Sequence, residues 1–98
     1  MSLTIYRARP DQVPLIFSLI RELAEYEKLA HEVEATEAMI ADALFSDNPR
    51  LFCEIAEWNG EVAGFAVWFL NFSTFVGRFG IYLEGLFVRP QFRGRGIG

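Results

Sequence analysis

One cysteine in 98 residues, Cys53, excludes an internal disulfide and any thiolate metal framework. Its setting, between Phe52 and Ile55 in a strand-like run, marks it as a small core residue. Positive charge is not in excess either: the formal net charge is -4 and the isoelectric point about 4.9, so the overall field repels phosphate backbones and anionic lipid. Nucleic acid is therefore not expected as a partner. There is no long hydrophobic run, because the longest charge-free stretch, VAGFAVWFLNFSTFVG from Val62 to Gly77, is too short for a spanning helix and is interrupted by Asn71, Ser73 and Thr74. A membrane is not expected as a partner. Arg7 and Arg9 break up the first apolar residues, so no secretory leader is expected and a cytoplasmic protein is. Internal repeats, low-complexity stretches and linkers are lacking too, which leaves one domain over residues 1–98.

What the chain does have is apolar material: 52% hydrophobic residues and 15% aromatics are enough to bury a core. Its charge is unevenly spread. Residues 1–61 carry twelve acids against five bases, whereas residues 62–98 carry one acid, Glu84, against four arginines. Such a split suits a protein that holds a cationic molecule in one place and an anionic one in another, and equally suits solvated helix faces followed by a basic tail.

Hydrophobic periodicity changes along the chain. LTIYRAR (Leu3 to Arg9) alternates and predicts a strand with one face buried. Val13, Ile16, Phe17, Ile20, Leu23 and Ala24 then recur at helical spacing, with Asp11 near the positive end and Pro14 falling in the first turn. A second helix is predicted from Thr36 as N-cap, with Met39, Ile40, Ala43 and Leu44 as its apolar stripe and SDNP (Ser46 to Pro49) as its stop. From Leu51 the period is two. LFCEIAEW, the hairpin pair Asn59–Gly60 and EVAGFAVWFLNF predict two antiparallel strands, STFVGRFG a looser connection, and IYLEGLFV (Ile81 to Val88) a third strand ended by Arg89–Pro90. The order is strand, helix, helix and a three-stranded antiparallel meander, an α+β plan.

The last strand runs into FRGRGIG. Glycines at close spacing after a strand let main-chain N–H groups converge on an anion, here from Arg93, Gly94, Arg95, Gly96, Ile97 and Gly98, with the arginines adding charge. Rival readings fit less well. A dinucleotide fingerprint needs a further glycine and a parallel unit, a Walker loop needs Gly-Lys-Ser/Thr, and an RNA-binding arginine–glycine tail repeats. Glu84 stands in the most apolar strand, where an unpaired carboxylate is costly to bury. Either it points to solvent or into a salt bridge, or it holds a cationic amine and takes its proton, directly or through water.

These residues carry a resemblance. VRPQFRGRGIG resembles the acetyl-coenzyme A motif of the GNAT superfamily of N-acetyltransferases, Arg/Gln-x-x-Gly-x-Gly/Ala, matched by Arg93, Gly96 and Gly98. LIRELAEYEKL, GFAVWF and YLEGLFVRPQFRGRGIG are similar to the diamine (spermidine/spermine) N-acetyltransferase-like branch. The resemblance implies the N-terminal part of the GNAT fold, acetyl-CoA as cosubstrate, no metal, a small primary amine as acceptor and a homodimer. Leu86, Phe87 and Val88 would offer main-chain groups to the pantetheine arm and Gly94 to Gly98 would wrap the pyrophosphate. Tyr26, Glu27 and Glu84 would line the amine side, with Glu84 helping to deprotonate the amine as it attacks the thioester directly. A noncatalytic CoA-binding or assembly module of the same fold is the alternative.

Two departures from the family pattern bear on the acceptor. Gly85 stands where the branch has Asp in Leu-Glu-Asp, and Ser73 where the preceding loop often carries an acid. A smaller amine, thialysine-like or lysine-like, is expected in place of a long polycation. The family's following helix, parallel strand and thiolate-protonating tyrosine have no counterpart in the sequence, so a truncated, inactive chain with an exposed apolar sheet edge is expected.

Overall fold

The computed structural model describes residues 2–98. Strand β1 (Leu3–Arg7) leads through a 3-10 turn (Pro10–Gln12) into helix α1 (Val13–Tyr26). A second 3-10 turn (Ala30–Glu32) precedes helix α2 (Glu37–Phe45), and strands β2 (Phe52–Trp58), β3 (Glu61–Ser73) and β4 (Arg78–Val88) follow. The strands form one antiparallel sheet in the order β1-β2-β3-β4. A last 3-10 turn (Pro90–Phe92) hands β4 over to the glycine loop.

Local chemistry accounts for most boundaries. The Gln12 Oε1 accepts from Arg9 N at 2.9 Å while Nε2 donates to the Tyr6 hydroxyl at 2.8 Å, so this buried amide is satisfied at the entry to α1. Thr36 Oγ1 accepts from Met39 N at 3.2 Å, capping α2, a contact worth about 1 kcal/mol. Asn59 (φ 51°) and Gly60 (φ 84°) both take positive φ, the requirement of a two-residue type I′ hairpin between β2 and β3.

The core lies between α1 and one face of the sheet. Ile16 and Leu19 pack with Cys53 and Ile55 of β2, Phe65 and Val67 of β3 and Phe87 of β4. Leu19 is fully buried although the apolar pattern of α1 did not single it out, because the helix turns a wider stripe onto the sheet than its sparsest repeat suggests. Three other expectations are corrected. Leu3 and Ile5 are 40% and 57% exposed, since they point to the sheet face opposite α1, and Tyr6 and Ala8 are the inward residues. Met39 is 60% exposed, because in a helix of nine residues only Leu44 is fully buried. The strand predicted from Ile81 begins at Arg78: Phe79 pairs with Phe72 and Arg78 with Ser73, so β3 and β4 form a long arm whose loop is only four residues, 74–77.

Burial pushes the Cys53 thiol up to about 12, with Glu54 adding to the rise and Arg7 opposing it. Its pKa is raised on folding, so the stability due to the neutral thiol is complete below the ordinary value of 9.0 and is lost as the pH climbs from there toward about 12. Cys53 is expected to resist a thiol reagent in the native protein at mildly alkaline pH and to react fully in denaturant; rapid native labelling would contradict this placement. Leu19→Ala is expected to cost about 2–5 kcal/mol of stability in denaturant titration.

Candidate active site

Among the described residues β4 is the last strand of the sheet and pairs with β3 alone. Arg89 N donates to Ala63 O at 2.7 Å, so the main chain of Arg89 faces β3. Successive residues of an antiparallel strand face alternate sides, so the N–H and C=O groups of Val88 and Leu86 face the free edge, and those of Phe87 face β3. The Phe87 side chain is buried in the core, and its ring lies 6.2 Å from that of Tyr26. Beside this edge is a cavity of about 370 Å³ bordered by Leu23, Tyr26 and Glu27 of α1, by Leu86 to Val88, and by the glycine loop.

The loop is built to present nitrogen. Gly94 (φ 80°) and Gly96 (φ 76°) take left-handed conformations that side-chain-bearing residues rarely adopt, and ordinary residues stand between and after them. This alternation turns successive N–H groups to one side. Among the described residues the N–H groups of Gly94 through Gly98 donate to no other group, while Phe92 and Arg93 close the preceding turn onto Arg89 O and Pro90 O. Charge supports the same reading. The basic partners of the recorded ion pairs are Arg7, Arg9 and Arg89, so among the described residues Arg93 and Arg95 face no carboxylate. Five unpaired amides beside the uncompensated Arg93 guanidinium fit a diphosphate, and the free edge of β4 fits an extended amide arm. Arg93 now lies across that edge: its Nε donates to Val88 O at 2.8 Å and its guanidinium sits 4.4 Å from the Tyr26 ring centre.

Glu84 occupies a different place. Val67 pairs with Gly85 and Trp68 with Leu83, which leaves Glu84 as the extra residue of a bulge in β4. Glu84 and Gly85 therefore both border a second cavity of about 240 Å³ on the helix side of the sheet. Tyr26 and Glu27 border the first cavity with the loop, and Leu23 borders both. The structure thus brings Tyr26, Glu27, Leu86, Phe87, Val88, Arg93, Gly94, Gly96, Ile97 and Gly98 together, sets Glu84 across Leu23 from them, and turns the Arg95 guanidinium over Trp58. Among the described residues no cluster of three metal-ligating side chains exists, and no helix is long and apolar enough to cross a membrane.

Two supporting features escaped sequence reasoning. Arg89 forks onto Glu22, with Nη2 to Oε2 at 2.8 Å and Nε to Oε1 at 3.1 Å, and its Nη1 donates to Val62 O at 3.1 Å. This ties α1, which supplies Leu23, Tyr26 and Glu27 to the first cavity, to the end of β4. Gly64 lies under β4, where a Cβ would run into the Phe87 carbonyl oxygen and come within 3.0 Å of Val88 Cα. Partners 67 residues apart leave no local trace in a sequence, and a glycine inside a strand signals only a close approach, not its neighbour.

A family profile described as "Acetyltransferase (GNAT) family" matches residues 15–98. The chain is 40% identical to thialysine N-epsilon-acetyltransferase of Mus musculus, over 99% of its own length and 61% of the relative's. It is 34% identical to spermidine/spermine N(1)-acetyltransferase-like protein 1 of Homo sapiens, over 96% of its length and 14% of that protein's. Among solved structures, an aminoglycoside acetyltransferase from an uncultured soil metagenomic sample superposes with a TM-score of 0.75 at 25% identity, covering 99% of this chain and 64% of that one. The chain spans about three-fifths of the length of the thialysine acetyltransferases it matches. Its four-stranded sheet with two helices corresponds to the N-terminal portion of the fold they share.

Gly64→Ala is expected to cost about 1–3 kcal/mol in thermal or denaturant unfolding, since the backbone of β4 must move. Replacing Arg89 by Met is expected to cost about 1–2 kcal/mol by the same measurement, because Glu22 and the Val62 carbonyl lose a charged donor; an unchanged midpoint would show that the fork does not hold α1 to β4.

Proposed function

The chain belongs to the acetyltransferase (GNAT) family, and we propose that it acts as an acetyl-CoA-dependent N-acetyltransferase toward a small primary amine. The observation that carries this reading is the row of unpaired amides from Gly94 to Gly98, set beside the free edge of β4. Acetyl-CoA supplies a thioester-activated acetyl group when bound. Gly94 to Gly98 then hold its diphosphate, assisted by Arg93 and Arg95, and Leu86 and Val88 hydrogen-bond its amide arm once the Arg93 side chain has left Val88 O.

The reaction makes one bond, from amine nitrogen to acetyl carbon, and breaks one, from that carbon to sulfur, so coenzyme A leaves as thiolate and takes up a proton. An ammonium ion cannot attack. Glu84 accepts the ammonium proton, directly or through water, and the N–H of an edge residue stabilises the negative charge that develops on the carbonyl oxygen. The relatives' names, with thialysine and spermidine/spermine as the acetylated groups, support a primary amine as acceptor. Gly85 and Ser73, in place of acids, support a smaller molecule than a polyamine.

A homodimer and a cytoplasmic location belong to the same proposal. The dimer is supported by the β3–β4 arm, where Phe72, Phe75, Phe79 and Ile81 are all more than half exposed.

With acetyl-CoA and a panel of primary amines, the whole protein is expected to release free thiol in step with amine consumed; no release with any amine would refute the proposal. Glu84→Gln is expected to lower the turnover by about 10²–10⁴-fold with acetyl-CoA affinity by calorimetry little changed. Retained coenzyme binding without turnover in the unaltered protein would instead favour the noncatalytic module.

A further inference from the structure

The helix-side cavity is lined by Ile20 and Leu23 of α1, Ile40 of α2, Leu51 ahead of β2, and Phe65 and Val67 of β3, with Glu84 and Gly85 at its β4 wall. Resting on the acetyltransferase reading, we propose that this cavity is the acceptor subsite and that it selects a monoamine with a short apolar body over diamines and polyamines, and so over the lysine-like acceptor that the resemblance implied.

Three observations carry the selection. Glu84 is the sole charged residue of the lining. The carboxylates in the recorded ion pairs are those of Glu54, Asp11 and Glu22, so among the described residues Glu84 is left to pair with an incoming ammonium. Among the described residues the lining holds no second carboxylate for a second cation. Glu27 borders the other cavity, beside the glycine loop, and Glu22 is held by the Arg89 fork. A distal ammonium inserted among Ile20, Ile40 and Leu51 would lose its hydration without a partner, which is strongly unfavourable, whereas an alkyl or aryl group there gains from leaving water.

Size and position agree. At about 240 Å³ the cavity falls below the roughly 300–1,000 Å³ that accommodates drug-sized ligands, so the body is short. Leu23 is shared with the coenzyme-side cavity and lies 3.6 Å from where a Cβ of Gly85 would stand, so an amine tethered at the neighbouring Glu84 is within reach of the partition with its apolar body away from it. Gly85 leaves this wall of the cavity without a side chain, and there is room for one: a Cβ there would meet nothing nearer than Leu23 Cδ2 at 3.6 Å.

A matched pair of acceptors tests the idea, n-hexylamine and hexamethylenediamine, which differ in the terminal ammonium. With the whole protein and acetyl-CoA, kcat/KM is expected to be at least about tenfold higher for hexylamine. Equal values, or a preference for the diamine, overturn the inference while leaving the acetyltransferase reading intact; no thiol release with any amine overturns both. Gly85→Asp adds a carboxylate to the cavity at ordinary contact distance and is expected to shift the ratio at least about tenfold toward the diamine. If that variant retains its circular dichroism spectrum and transfer activity but not the shifted ratio, the body does not lie in this cavity and the inference fails. If it does not fold, the two unaltered-protein rates decide the matter alone.

Discussion

The pairing of β4 with β3, interrupted by one unpaired residue, fixes the geometry of everything else. From Val67 to Gly64 the partners run from Gly85 to Val88 in simple alternation, which sends Phe87 into the core and leaves the main-chain groups of Leu86 and Val88 on the open edge. At Glu84 the ladder slips by one. Strict alternation would have placed Glu84 on the same side as Leu86, facing away from the helices; the bulge lets it border the helix-side cavity together with Gly85. A single inserted residue thus places a carboxylate on one side of Leu23 and an amide-rich edge on the other.

That arrangement depends on the end of β4 staying where it is. Gly64 allows the β4 backbone to lie against β3 more closely than a side chain would permit. The Arg89 fork onto Glu22 then anchors the strand end to α1, the helix that also supplies Leu23, Tyr26 and Glu27. Arg89 is consumed by this structural pairing. Arg93 and Arg95 are not, and the positive charge they leave beside the loop is what the split in the sequence foreshadowed, an acidic first part and a basic last one.

How much of this was legible beforehand follows from the range of each interaction. The Asn59–Gly60 turn and the Thr36 cap are decided within a few residues and were read correctly. The left-handed turns at Gly94 and Gly96 were readable for the same reason, because tolerance of positive φ is a property of glycine itself. The inward and outward faces of β1 were not. Leu3 and Ile5 look like core residues until the location of α1 is known. The bulge at Glu84, the close approach at Gly64 and the Glu22–Arg89 fork all depend on register between distant segments, which no local pattern encodes. Grouping Tyr26, Glu27 and Glu84 on one amine side likewise joined residues that line two different cavities.

On the reading proposed, bare main-chain nitrogens just beyond β4 receive a diphosphate. Amide hydrogen exchange of the whole protein, with and without coenzyme A, tests it most directly. Slowed exchange confined to Gly94 to Gly98 and to Leu86 and Val88 is the expected result. Coenzyme-dependent protection elsewhere in the chain, with these amides unaffected, would contradict it.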